Sequence, residues 1–147
     1  MGAYQVVVVG TDGSDSSMRA VDRAAQLAGL DAKLIIASAY LPQQQDARAA
    51  DVLGSESYKV SGTAPIYAIL RDAKERALAA GAKNVDERPI VGAPVEALVQ
   101  LAEEEKADLL VVGNVGLSTI AGRLLGSVPA NVSRRAKVDV LIVHTTS

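Results

Sequence analysis

The sequence contains no cysteine, no phenylalanine and no tryptophan, and only one histidine. Without cysteine there are no disulfides, thiolate metal sites or cysteine nucleophiles. With His144 as the single imidazole, a histidine-based triad would also need a nucleophile and an acid at the same strand end, and nothing in the pattern supplies them. His144 therefore reads as structural or solvated. Four tyrosines are the whole aromatic complement, too few for the stacking platforms of single-strand binders. Basic excess is also missing: the formal net charge is −2 and the signs are mixed along the chain, which argues against nucleic acid bound through a basic face.

Long apolar runs are absent too. No segment approaches the roughly 20 apolar residues of a membrane span. The N-terminus runs straight into Val6–Val9 with no basic stretch or cleavage signal, and Val6 stands where a myristoylation pattern needs Ser or Thr. The expected location is the cytoplasm, away from membranes. What is present is one domain's worth of chain: 147 residues, expected to form a single domain over 1–147. A chain of that size buries about 70% of its unfolded surface and needs no staples.

Five short apolar runs alternate with segments of helical period: Tyr4–Gly10, Lys33–Tyr40, Val85–Val91, Asp108–Gly113 and Val138–His144. Four are dense in Val, Ile or Leu with little alternation, as in strands buried on both faces. Val85–Val91 mixes charges with apolar residues, which suits an edge strand. Between the runs, Ser14 or Asp15 caps a helix reaching about Gly29. Ile66, Ile69, Leu70, Ala73 and Ala77 share one face of a second helix that stops at Gly81. Val95, Leu98, Val99 and Ala102 form the stripe of a third, with Glu103–Lys106 solvated. A last helix begins near Ser127 with Pro129 in its first turn. Leu41–Thr63 is the one long loop, rich in Gln, Asp, Ser and Gly, either a functional lid or simply disordered. Alternating strands and helices predict an α/β three-layer sandwich around a five-stranded parallel sheet, joined by right-handed crossovers.

Such sheets bind ligands at the carboxyl ends of their strands, where the strand order reverses. Here the reversal falls between the first and fourth strands. The loops meeting there are Gly10-Thr11-Asp12-Gly13-Ser14 and Gly113-Asn114-Val115-Gly116, both glycine-rich. Glycine lets backbone N–H groups approach an oxyanion without a Cβ in the way. Gly126-Ser127 then opens the last helix, whose N-terminus favours anions. Gly113, Gly116, Gly126 and Ser127 could thus surround a phosphate from two sides. Asp12 repels phosphate and suits sugar hydroxyls or a divalent cation. Each glycine could instead serve only a tight turn, and Asp12 only a turn cap.

The spacing Gly113-x-x-Gly116, nine residues, Gly126-Ser127 resembles the nucleotide motif of the universal stress protein family. The opening Val9-Gly10-Thr11-Asp12-Gly13-Ser14 and the ending Gly126-Ser127-Val128 followed by a strand are similar as well, so the resemblance covers essentially the whole chain. It implies a sheet of order 3-2-1-4-5 in the adenine nucleotide alpha hydrolase-like class, and ATP, with Mg2+ as its companion, in the crevice; a departure from the pattern at Pro129 makes AMP or cyclic AMP (cAMP) candidates as well. Thr11 and Asp12, after Gly10, would contact adenine and ribose. Ala39 and Val112 would line the adenine pocket. Gly113, Gly116, Gly126, Ser127 and Val128 would hold ribose and phosphates. Two positions depart from the pattern. Asn114 stands where Ser or Thr is frequent. Pro129 replaces a frequent Ser or Thr, removing a hydroxyl and an N–H from the phosphate end. The resemblance further implies a regulatory, stress-response binding protein that turns over slowly at best and pairs as a homodimer through its last strand.

Two other functions fit the same frame. The run Gly10–Ser16 faintly resembles the Ser-Gly-Gly-x-Asp-Ser loop of adenylylating ATP pyrophosphatases, though Asp12 interrupts it and no room remains for a second domain. A flavin-binding electron-transfer module would use the same fold in a longer chain. No GxxxxGK loop is present, which excludes P-loop NTPase chemistry.

Overall fold

The computed structural model describes residues 4–40, 64–114 and 127–144. In chain order the elements are β1 (Val6–Gly10), α1 (Asp15–Ala28), β2 (Lys33–Tyr40), α2 (Ala64–Ala79), β3 (Asn84–Val91), α3 (Pro94–Glu104), β4 (Leu109–Gly113), α4 (Ser127–Arg135) and β5 (Asp139–Val143). All strand pairs are parallel, and the order across the sheet is β3-β2-β1-β4-β5. This is the architecture expected from the sequence.

Alternate residues of each central strand point to opposite faces, and both faces are dry. Val7, Val9, Leu34, Ile36, Leu109 and Val111 pack under α1 and α2, against Val21, Ala24, Leu70, Ala73 and Ala77. Val8, Ile35, Ala37, Leu110 and Val112 pack under α3 and α4, against Leu98, Leu101 and Val132. Burial on both faces is why these strands read as unbroken apolar runs. Each such side chain contributes roughly 1.5–3 kcal/mol on leaving water. Small residues on α1 (Ala20, Ala24, Ala25 and Ala28) let that helix lie close on the sheet.

β3 is an edge strand, as its charge pattern predicts. Val85 is buried, whereas Asp86 and Arg88 carry ion pairs to Lys33 (3.2 Å) and Glu105 (2.7 Å). The second pair corrects one expectation: Glu105 is half-buried against Arg88 rather than one of a solvated run. The α3 stripe also differs, because its buried residues are Ala97, Leu98, Leu101 and Ala102 while Val99 is only half-buried. The stripe on α2 is as read from its period.

β1 begins at Val6, two residues later than its apolar run, for a specific reason. The Asp108 carboxylate accepts from the N–H groups of Gln5 (3.0 Å) and Val6 (3.0 Å), and its own N–H donates to the Val6 carbonyl (3.0 Å). Asp108 thus ties the entry of β1 to the entry of β4 instead of extending β4. Nearby, the Tyr4 hydroxyl donates to Asp139 (3.0 Å), and that bond holds the phenol protonated to higher pH than usual. Among the described residues, no helix is long and apolar enough to cross a membrane.

Candidate functional site

The sheet opens at one place. The β1–β2 ladder runs to Gly10↔Ala37, and the Thr11 N–H continues it by donating to the Ala37 carbonyl (2.9 Å). On the other side, the β4–β5 ladder runs to Gly113↔Val143, and the Asn114 N–H continues it to the Val143 carbonyl (2.9 Å). Between β1 and β4, however, pairing stops at Val9↔Val111. Each of the two central strands keeps following its outer neighbour after it has left the other. The C-terminal ends of β1 and β4 therefore part, and the crevice lies at the point where the strand order reverses, where a doubly wound sheet takes its ligand.

Gly10, Thr11 and Asp12 form one lip of this crevice, and Gly113 and Asn114 the other. Gly10, Thr11, Val112 and Gly113 are buried, Thr11 to 1% exposure, while Asp12, Ala39 and Asn114 are half-buried at the surface of the strand ends. Thr11 and Val112 are thus buried beneath the strand ends, whereas Asp12, Ala39 and Asn114 are partly open to solvent there. Ser127 and Val128 open α4. Gly116 and Gly126 lie outside the described residues, as does the expected loop Leu41–Thr63.

The β1–α1 loop is held by its own hydroxyls. Ser14 is the N-cap of α1, its Oγ accepting from the Ser17 N–H (3.1 Å). Asp12 makes an Asx turn, its Oδ1 accepting from the Ser14 N–H (2.9 Å). The Thr11 Oγ1 accepts from the Gly13 N–H (3.1 Å) and lies 2.7 Å from the Ser17 Oγ. Sequence reasoning missed Ser17. It reads as one more polar residue in the first turn of a helix, and the available signal was its position three residues after an N-cap serine.

Gly13 is a glycine that the geometry requires. Its φ is +87°, and a Cβ built there would lie 2.9 Å from the Ile69 Cγ1 of α2. Two effects oppose a side chain: the left-handed backbone costs about 1–2 kcal/mol, and forcing a methyl into a filled contact about 1–3 kcal/mol. Gly13→Ala is expected to lower unfolding free energy by about 2–5 kcal/mol, read by urea denaturation, and to displace the loop from α2. A loss below about 0.5 kcal/mol would show that the loop–α2 packing is not tight.

Comparison with known proteins agrees with this architecture. The model of the universal stress protein family matches residues 3–144. Universal stress protein Rv1636 of Mycobacterium tuberculosis is 87% identical over 146 residues, covering 99% of this chain and 100% of that protein. A universal stress protein of Thermus aquaticus is 30% identical over 142 residues, covering 96% and 99%. The crystal structure of a universal stress protein in complex with cAMP aligns with a TM-score of 0.76 at 66% identity, covering 99% of this chain and 100% of the other. The chain belongs to the universal stress protein family.

Proposed function

We propose that this protein binds an adenine nucleotide in the β1/β4 crevice and acts as a regulatory binding protein rather than a fast enzyme. The observation that carries this reading is the 66%-identical relative solved with cAMP, which aligns over the whole chain. The parting of β1 from β4 between two glycine-bearing loops is what such a ligand needs. Asp12 and Ala39 would face adenosine, with Thr11 supporting them from beneath. Gly113, Asn114, Gly116, Gly126, Ser127 and Val128 would hold ribose and phosphate. cAMP and AMP are ligands on a par with a triphosphate, because Pro129 weakens the outer-phosphate end. ATP, with Mg2+, is the alternative occupant. Isothermal titration of one preparation with cAMP, AMP, ADP and ATP tests the reading. Saturable one-site binding of at least one supports it, and no heat from any of the four overturns it. Yellow colour in the purified protein would favour a flavin instead.

We further propose a homodimer through β5. This strand is at the sheet edge, carries Val140, Leu141, Ile142 and Val143, and leaves Ile142 42% exposed. An apolar edge invites pairing, and a two-fold dimer closes it. Val140→Lys is expected to convert a dimer into monomer or aggregate by sedimentation. A wild-type mass of one chain at micromolar concentration rules the dimer out.

A further inference from the structure

We propose that Ser17 is the positioning residue of the candidate nucleotide site: its buried hydroxyl fixes the main chain of residues 11–14 and so aims the Asp12 carboxylate into the crevice. Ser17 is 0% exposed and lies in α1, behind the lip that a ligand would touch. Its Oγ lies 3.0 Å from the Ser14 carbonyl, 3.3 Å from the Asp12 N and 2.7 Å from the Thr11 Oγ1.

A serine hydroxyl has one hydrogen to give and two lone pairs to receive. The Asp12 N–H can only donate and the Ser14 carbonyl can only accept. Ser17 therefore donates to Ser14 O and accepts from Asp12 N–H, and its second lone pair receives the Thr11 hydroxyl. The reverse sense would send the Thr11 hydrogen to the Met18 sulfur at 4.0 Å, a much weaker acceptor. Thr11 in turn accepts from Gly13 N–H. The chain Gly13 N–H to Thr11, Thr11 to Ser17, Ser17 to Ser14 closes on the helix cap with the hydrogen-bonding sites of Ser17 filled.

The consequence for ligand chemistry is direct. Thr11 N–H is taken by Ala37 O, Asp12 N–H by Ser17, Gly13 N–H by Thr11, and Ser14 N–H by Asp12 Oδ1. Four consecutive main-chain donors are satisfied by β2, by α1 and by the loop itself. A phosphate cradle needs such donors pointing outward. This lip therefore contributes orientation rather than anion binding, which also sets it apart from the loop of an ATP pyrophosphatase. What it orients is the carboxylate of Asp12, through an N–H bonded to a side chain that cannot move.

This inference rests on the nucleotide-binding reading, and a double-mutant cycle on cAMP affinity separates the two. Asp12→Ala, Ser17→Ala and the double variant are titrated by calorimetry beside the wild type. Ser17→Ala is expected to weaken cAMP by about ten-fold with circular dichroism unchanged. In the Ser17→Ala background, Asp12→Ala should cost less than about two-fold, against about ten-fold in the wild type, because a carboxylate no longer aimed has little to lose. Additive losses show that Ser17 serves stability alone and overturn the inference while nucleotide binding stands. A wild type that binds no cAMP overturns both. Should Ser17→Ala not fold, Ser17→Cys, a weaker hydrogen-bonding group of similar shape, is put through the same cycle. Amide exchange gives a ligand-free readout. The Asp12 and Gly13 N–H groups of the wild type should exchange slowly, and fast exchange at both sites overturns the inference.

Discussion

Gly116→Glu is expected to abolish nucleotide binding while leaving the circular dichroism spectrum of the protein unchanged. Gly116 is the second glycine of the Gly113-x-x-Gly116 pair, three residues in sequence beyond the end of β4. On the proposed reading, in which Gly116 lies against ribose and phosphate, a carboxylate there would meet the nucleotide's phosphate. Two unit negative charges about 4 Å apart repel by about 4 kcal/mol at the effective dielectric of a protein surface. That alone is about three orders of magnitude in affinity. The side chain adds bulk where a ligand has to approach the backbone. Gly116→Ala separates the two terms, since it adds a methyl but no charge, and its loss should be much smaller. Calorimetry with cAMP measures all three proteins. Undiminished affinity in Gly116→Glu, with an unchanged fold, would place the nucleotide elsewhere.

How much of this was legible in the sequence depends on what kind of interaction decides each feature. The strands were legible because β1, β2 and β4 are covered on both faces, so Val7–Val9, Leu34–Ile36 and Leu109–Val112 form dense apolar runs with no solvent-facing alternation to confuse them. Their ends were less so. Asp108 counts as strand by its neighbours, yet its carboxylate takes the N–H groups of Gln5 and Val6, a bond between residues about a hundred positions apart that no local pattern announces. Glu105 likewise looked like one of three solvated glutamates until β3 brought Arg88 to it. Of the candidate site, the strand ends that part, β1 and β4, followed from topology, while the division of labour within the first loop did not. Thr11 looks like a ligand-facing residue because it adjoins Asp12, but its side chain is turned inward, and its hydroxyl serves Gly13 and Ser17. Hydroxyl direction is set by partners in three dimensions, so sequence can name the polar residues of a loop without saying which face the ligand and which hold the frame.

Pro129→Ser is expected to raise the affinity for ATP by about ten-fold and to leave that for cAMP nearly unchanged. Helix α4 starts at Ser127, which puts Pro129 in its first turn. The first four N–H groups of a helix have no partner within it and are the donors available to an anion. Proline at the third of these positions removes one of the four and brings no hydroxyl. The helix itself loses nothing, because that N–H has no intrahelical acceptor, so the substitution changes the ligand end without a stability cost in the helix. A charge-assisted hydrogen bond contributes roughly 1.5–3 kcal/mol, about ten-fold in affinity or more. On the proposed reading the missing donor would fall on the phosphates farthest from the ribose, which ATP has and cAMP lacks. The wild type should therefore discriminate poorly between a triphosphate and a compact monophosphate. Titration of wild type and Pro129→Ser with ATP, AMP and cAMP decides between cause and coincidence. ATP binding more than roughly a hundred-fold tighter than both monophosphates in the wild type would remove the premise. An ATP-to-AMP affinity ratio that Pro129→Ser leaves unmoved would keep the weak discrimination but assign it to some group other than the proline.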